Sequence, residues 1–146
     1  QRQMCIRDSV KSYDFFFKPI FLEFPHLKQS LLDDFSAYKA TNQLPHYFGR
    51  DTDYARPADI QGSGLMHIHL GLHENKLLTP QGKQIDSSTP QWDRTSDSAL
   101  LYAQNLFDEN QYSLIALFDP LAHSKAQNFD RMRLLASYAL EFKNQI

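Results

Sequence analysis

The stretch Ala99–Asp119, ALLYAQNLFDENQYSLIALFD, decides the fold class of this chain. It contains two runs rich in apolar and aromatic residues, Ala99–Phe107 and Gln111–Asp119, separated by the polar tripeptide Asp108-Glu109-Asn110. Two such runs joined by a short polar turn are typical of a β-hairpin. The stretch therefore predicts two antiparallel strands that are neighbours in a sheet.

Helical periodicity occurs on both sides of the predicted hairpin. In Pro25–Ala40 the apolar residues recur every three or four positions, and Pro25 suits the first turn of a helix. The segment Ala122–Asn144, which comes after Pro120, has the same periodicity. We therefore predict one amphipathic helix before the sheet and a second one after it.

The remaining segments are predicted to be extended or irregular. Leu65–Leu72 alternates apolar residues with histidines and is predicted to be a strand. Asp14–Phe24 is rich in Phe and Ile and is predicted to be extended, with Pro19 indicating an edge strand or a bulge. Gln43–Gly64 and His73–Ser98 contain several Pro and Gly residues and are predicted to be mostly loop. The order of elements predicts an α+β domain, a small antiparallel sheet flanked by an N-terminal and a C-terminal helix.

Length and composition fit one globular domain. The chain has 146 residues, of which 42% are hydrophobic and 13% aromatic. The first ten residues differ in character from the rest of the chain, and Met4–Ser9 looks like translated adapter sequence. We therefore expect residues 1–10 to be a non-native or disordered extension and residues 11–146 to form the single domain.

The sequence also indicates a cytoplasmic location. Cys5 is the single cysteine, which excludes an intramolecular disulfide and fits a reducing compartment. We see no secretory signal pattern, and no apolar run approaches the roughly 18 residues that a membrane span needs. We therefore expect no membrane association.

Charge by itself does not point to a nucleic-acid partner. The chain has 15 Lys and Arg residues against 17 Asp and Glu residues, a formal net charge of −2. Binding of nucleic acid would require basic groups that are clustered on one face. The six histidines matter here, because their charge near neutral pH is set by their surroundings.

His67 and His69 are the sharpest chemical feature of the sequence. Side chains alternate between the two faces of a strand, so both imidazoles project from one face, roughly 6–7 Å apart. Such a pair suits acid–base catalysis on a phosphodiester or a metal site. The simpler interpretation is that both are solvent-facing polar positions of a half-covered sheet, and the pair alone does not decide between these.

Other polar residues are candidates for contacts with a phosphate. Arg94 and Arg50 can stabilise negative charge, and Asp97 can orient an arginine or a histidine. His123 lies near the start of the last predicted helix, where backbone amides attract anions. The hydroxyl of Tyr102 can face a site from its strand. Each of these residues also has a plainer role in surface ion pairs, caps or packing.

Aromatic residues in the predicted loops have two interpretations. Trp92 and Tyr47 can stack on nucleobases, or they can pin their loops to the core.

A metal site is the main alternative. Gly62, His67, His69, Glu74 and Gly82 approximate the first metal-binding motif of cupins, although two spacings differ by one residue. A cupin also needs more strands and a second histidine motif. The alternative is therefore a metal-binding protein with His67, His69 and Glu74 as ligands. A third possibility is a module that binds RNA or the ribosome without cutting.

Several short blocks together resemble the YafO family of type II toxins. They span about Phe15–Phe142 and occur in the order of that family and with similar spacing. The blocks are Leu44-Pro45, Phe48-Gly49-Arg50-Asp51, His67-Ile68-His69-Leu70, Arg94-Thr95-Ser96-Asp97, Leu101-Tyr102, Phe107-Asp108-Glu109, Leu114-Ile115-Ala116, and Pro120 with His123 and Ala126.

The resemblance implies a RelE-like toxin fold and an endoribonuclease that needs no cofactor. Such toxins cut mRNA, commonly on the ribosome, and a cognate antitoxin neutralises them. Arg50, Asp97 and Tyr102 are then expected to contact the substrate.

The resemblance also implies catalytic roles for basic residues on the sheet. We expect a metal-independent transesterification in which His67 or His69 removes the proton from a ribose 2′-OH. Arg94, helped by Arg50, would stabilise charge on the phosphoryl oxygens. His123 would protonate the leaving 5′-oxygen.

Overall fold

The computed structural model describes residues 5–8 and 10–146, and within them five strands form one sheet. The strands follow the order β1-β5-β4-β3-β2; β1 is parallel to β5, and the other neighbouring pairs are antiparallel. The strands are β1 (Cys5–Asp8), β2 (Phe48–Asp53), β3 (Met66–Leu70), β4 (Ala99–Gln104) and β5 (Gln111–Phe118). The helices are α1 (Val10–Phe16), α2 (Lys18–Glu23), α3 (Leu27–Thr41), α4 (Ala122–Ala126) and α5 (Phe129–Lys143). The fold is α+β, as predicted, and compatible with a RelE-like toxin fold.

The predicted hairpin is confirmed, and its turn has a clear local cause. Strands β4 and β5 pair in antiparallel register, with Leu100 opposite Leu117. The buried side chain of Asn105 accepts hydrogen bonds from the backbone N–H groups of Phe107 and Asp108, both at 2.9 Å. An Asn side chain that satisfies the turn backbone fixes where the hairpin reverses.

The predicted central strand is also confirmed. Strand β3 lies between β4 and β2, and His67 pairs with Leu101 of β4. Strand β3 therefore lies in the interior of the sheet, with a paired strand on each side.

The two predicted long helices are present, with one difference at the C-terminal end. Helix α3 confirms the helix predicted over Pro25–Ala40. It is capped at its C-terminal end by Asn42, which adopts a left-handed conformation with φ 59°. The predicted helix Ala122–Asn144 is divided into α4 and α5. Asn128 stands at the break, and its side chain accepts a hydrogen bond from the backbone N–H of Arg131 at 3.0 Å. An Asn in that role starts a new helix.

The prediction that Asp14–Phe24 is extended was wrong, because this segment lies in α1 and α2. Tyr13, Phe17 and Phe21 are four residues apart, and their rings pack with centroids 6.1 Å and 5.6 Å apart. That spacing places all three on one side of a helical segment. Pro19 lies in the first turn of α2, where a missing N–H costs nothing.

The prediction that Gln43–Gly64 is mostly loop missed β2. This strand is short and polar in sequence, FGRDTD, and it pairs with β3 at one edge of the described sheet. Its register shifts between Phe48 and Asp51, which is a bulge that periodicity cannot reveal. The predicted loop His73–Ser98 is confirmed as largely irregular, with a 3₁₀ turn at Gln91–Asp93.

Apolar cores cover both faces of the sheet. On one face, α5 buries residues such as Leu135 against Leu101 and Ile115. On the other face, Phe35 of α3 packs against Ile68 and its neighbours. His67 and His69 lie on the face that α4 and α5 cover, and His69 is only 7% exposed, so the interpretation of both as solvent-facing positions of a half-covered sheet was wrong.

In the part of the chain that the structure describes, no helix is long and apolar enough to cross a membrane.

The expectation that residues 1–10 are an extension to the domain stays a prediction. Residues 1–4 and 9 lie outside the described residues. The described part, Cys5–Asp8, runs parallel to the start of β5, with Cys5 opposite Gln111.

Candidate active site

Three imidazoles form a row on the face of the sheet that α4 and α5 cover. The rings of His67 and His69 have their centroids 5.4 Å apart, which agrees with neighbouring positions on one face of β3. Helix α4 brings the ring of His123 to 5.9 Å from that of His69. His69 is therefore the central member of the row.

His67 is enclosed and neutral. Its ring stacks on the ring of Tyr54, with centroids 3.9 Å apart and planes 13° apart. Its Nδ1 is buried and has no hydrogen-bond partner within the described residues. Burial lowers the pKa of His67 to about 3, and repulsion from His69 acts in the same direction, while the Asp51 carboxylate opposes it.

His69 is also neutral, and its ring is anchored at one nitrogen. Only 7% of the surface of His69 is exposed to solvent. The Ser96 N–H donates to Nδ1 at 3.0 Å, and the Ser96 carbonyl oxygen lies 3.0 Å from the same nitrogen. Both tautomers of the ring are therefore provided with a partner. Burial lowers the pKa of His69 to about 4; the bond to Ser96 opposes this, and the nearby His123 and Arg50 lower the pKa further.

His123 is exposed and oriented by a carboxylate. Oδ1 of Asp97 lies 2.8 Å from Nδ1 of His123 and accepts the backbone N–H of the same residue at 2.9 Å. Burial raises the pKa of Asp97, but the bonds from His123 outweigh this effect and the net shift is downward. Asp97 thus fixes the start of α4 and holds the imidazole of His123 towards the row.

The two candidate arginines differ in what they contact. Nε of Arg50 donates to the carbonyl oxygen of Trp92 at 2.6 Å, and its guanidinium lies over the Trp92 ring, 4.4 Å from the centroid. Arg94 instead donates to the carbonyl oxygens of Thr89 and Asp86, at 2.9 Å and 3.2 Å. Arg50 is near enough to His69 to affect its pKa, whereas Arg94 holds its own loop together.

Tyr102 is not brought together with the histidines. It lies on the face of the sheet that α3 covers, where its hydroxyl donates to Oδ1 of Asp51 at 2.6 Å. Nζ of Lys39 donates to the same hydroxyl at 2.7 Å and forms an ion pair with Asp51 at 3.0 Å. Tyr38 also donates to this carboxylate, at 2.8 Å.

A narrow cleft runs along the row of imidazoles. It is lined by residues from β3, β4 and α4 and from the segments beside β2 and β4: Tyr54, His67, His69, Ser96, Ala99, Ala122, His123 and Ala126. Tyr54 and Ser96 were not among the site residues predicted from the sequence. Ser96 adjoins Asp97 in the block Arg94-Thr95-Ser96-Asp97, which is a signal that could have found it. Tyr54 comes directly after the strand that periodicity missed, and nothing in the sequence singles it out.

The cupin-like alternative lacks its ligand set. Among the side chains that the structure describes, no group of three or more His, Cys, Asp or Glu residues is arranged to hold a metal ion. His67, His69 and Glu74 therefore do not form the predicted metal site. The five-stranded sheet with helices on both faces also differs from the barrel that a cupin requires.

Comparison with known proteins identifies relatives over most of the chain. Residues 36–144 match the family model described as "Toxin YafO, type II toxin-antitoxin system". A protein of Escherichia coli (strain K12), the mRNA interferase toxin YafO, is 35% identical over 118 residues, which are 78% of this chain and 83% of that protein. No solved structure matches the chain. The matched region runs from within α3 to the end of α5 and includes all three imidazoles.

Proposed function

The chain belongs to the YafO family of toxins of type II toxin–antitoxin systems, and from this we propose that it is an endoribonuclease that cleaves mRNA. The main structural support for this function is the row of imidazoles, in which a buried, neutral His69 lies beside an exposed His123 that is paired with the Asp97 carboxylate. A neutral imidazole can accept a proton, and one beside a carboxylate is well placed to deliver one. Membership in this family also implies a cognate antitoxin as partner.

His69 is the better placed of the two strand histidines to act as the general base. When Nδ1 donates its proton to the Ser96 carbonyl, the lone pair of Nε2 is available, and no hydrogen bond within the described residues occupies Nε2. His69 takes the proton of a ribose 2′-OH, and the oxygen attacks the adjacent phosphorus. The bond to the 5′-oxygen breaks as His123 protonates it. The products are a 2′,3′-cyclic phosphate and a 5′-hydroxyl end.

Arg50 is the cation best placed to stabilise the charge that develops on the phosphoryl oxygens. Apart from the bond of Nε to Trp92, its guanidinium forms no hydrogen bond within the part of the chain described. Its Nη groups can therefore bind a phosphate. Arg94 supports Arg50 indirectly, because its carbonyl oxygen accepts the Arg50 backbone N–H at 2.8 Å.

We further propose that the reaction takes place on the translating ribosome in the cytoplasm. A chain with net charge −2 has little sequence-independent attraction for RNA, because such affinity comes mainly from contacts with phosphates. Docking on the ribosome would hold the mRNA at the cleft instead. This part of the proposal predicts that an mRNA without a start codon is spared while its translated counterpart is cut.

The proposal is tested by mapping RNA 5′ ends after induction of the toxin. We expect new 5′-hydroxyl ends in mRNA, and none after induction of a double variant, His67→Ala with His69→Ala. Coexpression of the antitoxin should suppress the ends. Growth arrest by the unmodified toxin without any new ends would instead identify a protein that binds RNA or the ribosome without cutting.

The depressed histidine pKa values predict a pH-dependent stability. Burial lowers the pKa of His67 to about 3 and of His69 to about 4, from 6.5. Below pH 6.5 the unfolded chain therefore binds more protons than the folded chain. The stability that comes from keeping both imidazoles neutral is fully present above pH 6.5. It is lost as the pH falls towards the folded values, by up to about 1.4 kcal/mol per pH unit for each imidazole.

Urea unfolding at several values between pH 7.5 and pH 5 measures this loss. Replacing both residues with Gln should flatten the dependence over that range. An identical slope in the unmodified protein and the double Gln variant would contradict the assignment.

A further inference from the structure

Trp92 is an exposed aromatic residue on a firmly held backbone. Trp92 exposes 57% of its surface, although it lies in the 3₁₀ turn Gln91–Asp93, which packs beside β2. The side chain of Gln91 donates to the Gly49 carbonyl at 3.0 Å and to the Tyr38 hydroxyl at 2.9 Å. The hydrogen bonds of Gln91 therefore hold the turn that carries Trp92 against the rest of the domain.

The segment around Arg94, which follows Trp92 in the chain, is also held by hydrogen bonds. The Arg94 guanidinium closes its loop through the carbonyls of Thr89 and Asp86, and the Arg94 carbonyl is bonded to the backbone of Arg50. Gly49 lies so close to this carbonyl that any side chain on it would overlap the oxygen. Because the loop is held at both ends, the exposure of Trp92 is a fixed feature and not the fraying of a loose loop.

The guanidinium of Arg50 lies over the indole ring of Trp92. The guanidinium is stacked over Trp92 at 4.4 Å, and its Nε bond to the Trp92 carbonyl locks the pair. Arg50 lies on β2, which pairs with the strand that carries His69, and its charge also acts on His69. A flat group stacked on the indole would thus lie beside a cation suited to phosphate and close to the proposed general base.

We propose that Trp92, backed by Arg50, is a stacking platform for a nucleobase of the mRNA next to the phosphate that is cut. A nucleobase fits because it joins a flat π-face to a phosphate within one nucleotide, which matches the pairing of an indole with a guanidinium. Stacking of a base on an aromatic side chain is sequence-tolerant and commonly changes affinity about 10- to 100-fold. This proposal rests on the proposed function, since it names a substrate contact of the same site.

The test compares Trp92→Phe, which keeps a flat ring, with Trp92→Leu, which keeps apolar volume without one. Phe107→Ala is the matched control, because Phe107 is 61% exposed and lies at the β4–β5 turn. Cleavage of a translated mRNA is quantified by 5′-end mapping at limiting toxin concentration. We expect Trp92→Leu to lower the yield about 10- to 100-fold, Trp92→Phe to keep most of it, and Phe107→Ala to match the unmodified toxin.

The outcomes separate this proposal from the proposed function. If the unmodified toxin produces no ends, the nuclease function fails. If it produces ends and Trp92→Leu cuts equally well at the same positions, the function stands and the platform is overturned. An equal loss in the Phe and Leu variants also overturns it, because stacking should tolerate the smaller ring. Urea unfolding of all variants identifies any loss of activity that comes from the fold.

Discussion

Replacement of His69 by alanine is expected to lower mRNA cleavage by about 10²–10⁴-fold. His69 is the central imidazole of the row, it is neutral because burial lowers its pKa to about 4, and Ser96 anchors its Nδ1. Alanine removes the proton acceptor but leaves the neighbouring strands paired. The yield of 5′-hydroxyl ends and the growth rate after matched induction measure the effect.

The exposed His46 provides the control for this prediction, since His46→Ala should leave cleavage unchanged. His123→Ala should reduce the rate by a similar order through loss of the proton donor. His67→Ala tests whether the enclosed ring contributes directly or by supporting His69. If all three variants of the row cleave mRNA as well as the unmodified toxin, the proposed mechanism is wrong.

Asp51→Ala is expected to lower the free energy of unfolding by about 3 kcal/mol. The Asp51 carboxylate accepts hydrogen bonds from Tyr38 and Tyr102 and pairs with Lys39 at 3.0 Å, in a region with little solvent access. Its removal leaves a partly buried ammonium and two hydroxyls without their acceptor. Urea unfolding in the His69→Ala background, which avoids toxicity during expression, measures the loss.

Asp53→Ala is the matched control for Asp51→Ala, because Asp53 is an exposed carboxylate of the same strand. It should change the free energy of unfolding by less than about 0.5 kcal/mol. Equal stability of the Asp51 and Asp53 variants would contradict a structural role for the buried carboxylate.

The same cluster provides a test of the prediction that Tyr102 contacts the substrate. Tyr102→Phe should reduce stability by about 1 kcal/mol through the lost hydrogen bond. If Tyr102 is purely structural, as its bonds to Asp51 and Lys39 favour, this variant keeps its cleavage activity. Loss of cleavage at unchanged stability would instead support the role in substrate binding.

The elements that were predicted correctly are those whose sequence signals lie within the element itself. The hairpin of β4 and β5 and the helices α3 and α5 are predictable from periodicity and from turn or cap residues within each segment. Helices α1 and α2 were missed because a run of Phe and Ile resembles a strand in composition, although the four-residue spacing of its aromatics fits a helix. Strand β2 was missed because its polar residues become a strand only by pairing with β3.

For the site, the sequence by itself determined that His67 and His69 share one face of a strand, because the alternation of side chains is a property of the backbone. Only the tertiary structure decided that α4 and α5 cover that face, that the break at Asn128 lets α4 carry His123 to His69, and that Tyr102 lies on the other side of the sheet. Burial also set the histidine pKa values. Periodicity acts between neighbours in the chain, whereas burial and charge act between residues that only folding brings together.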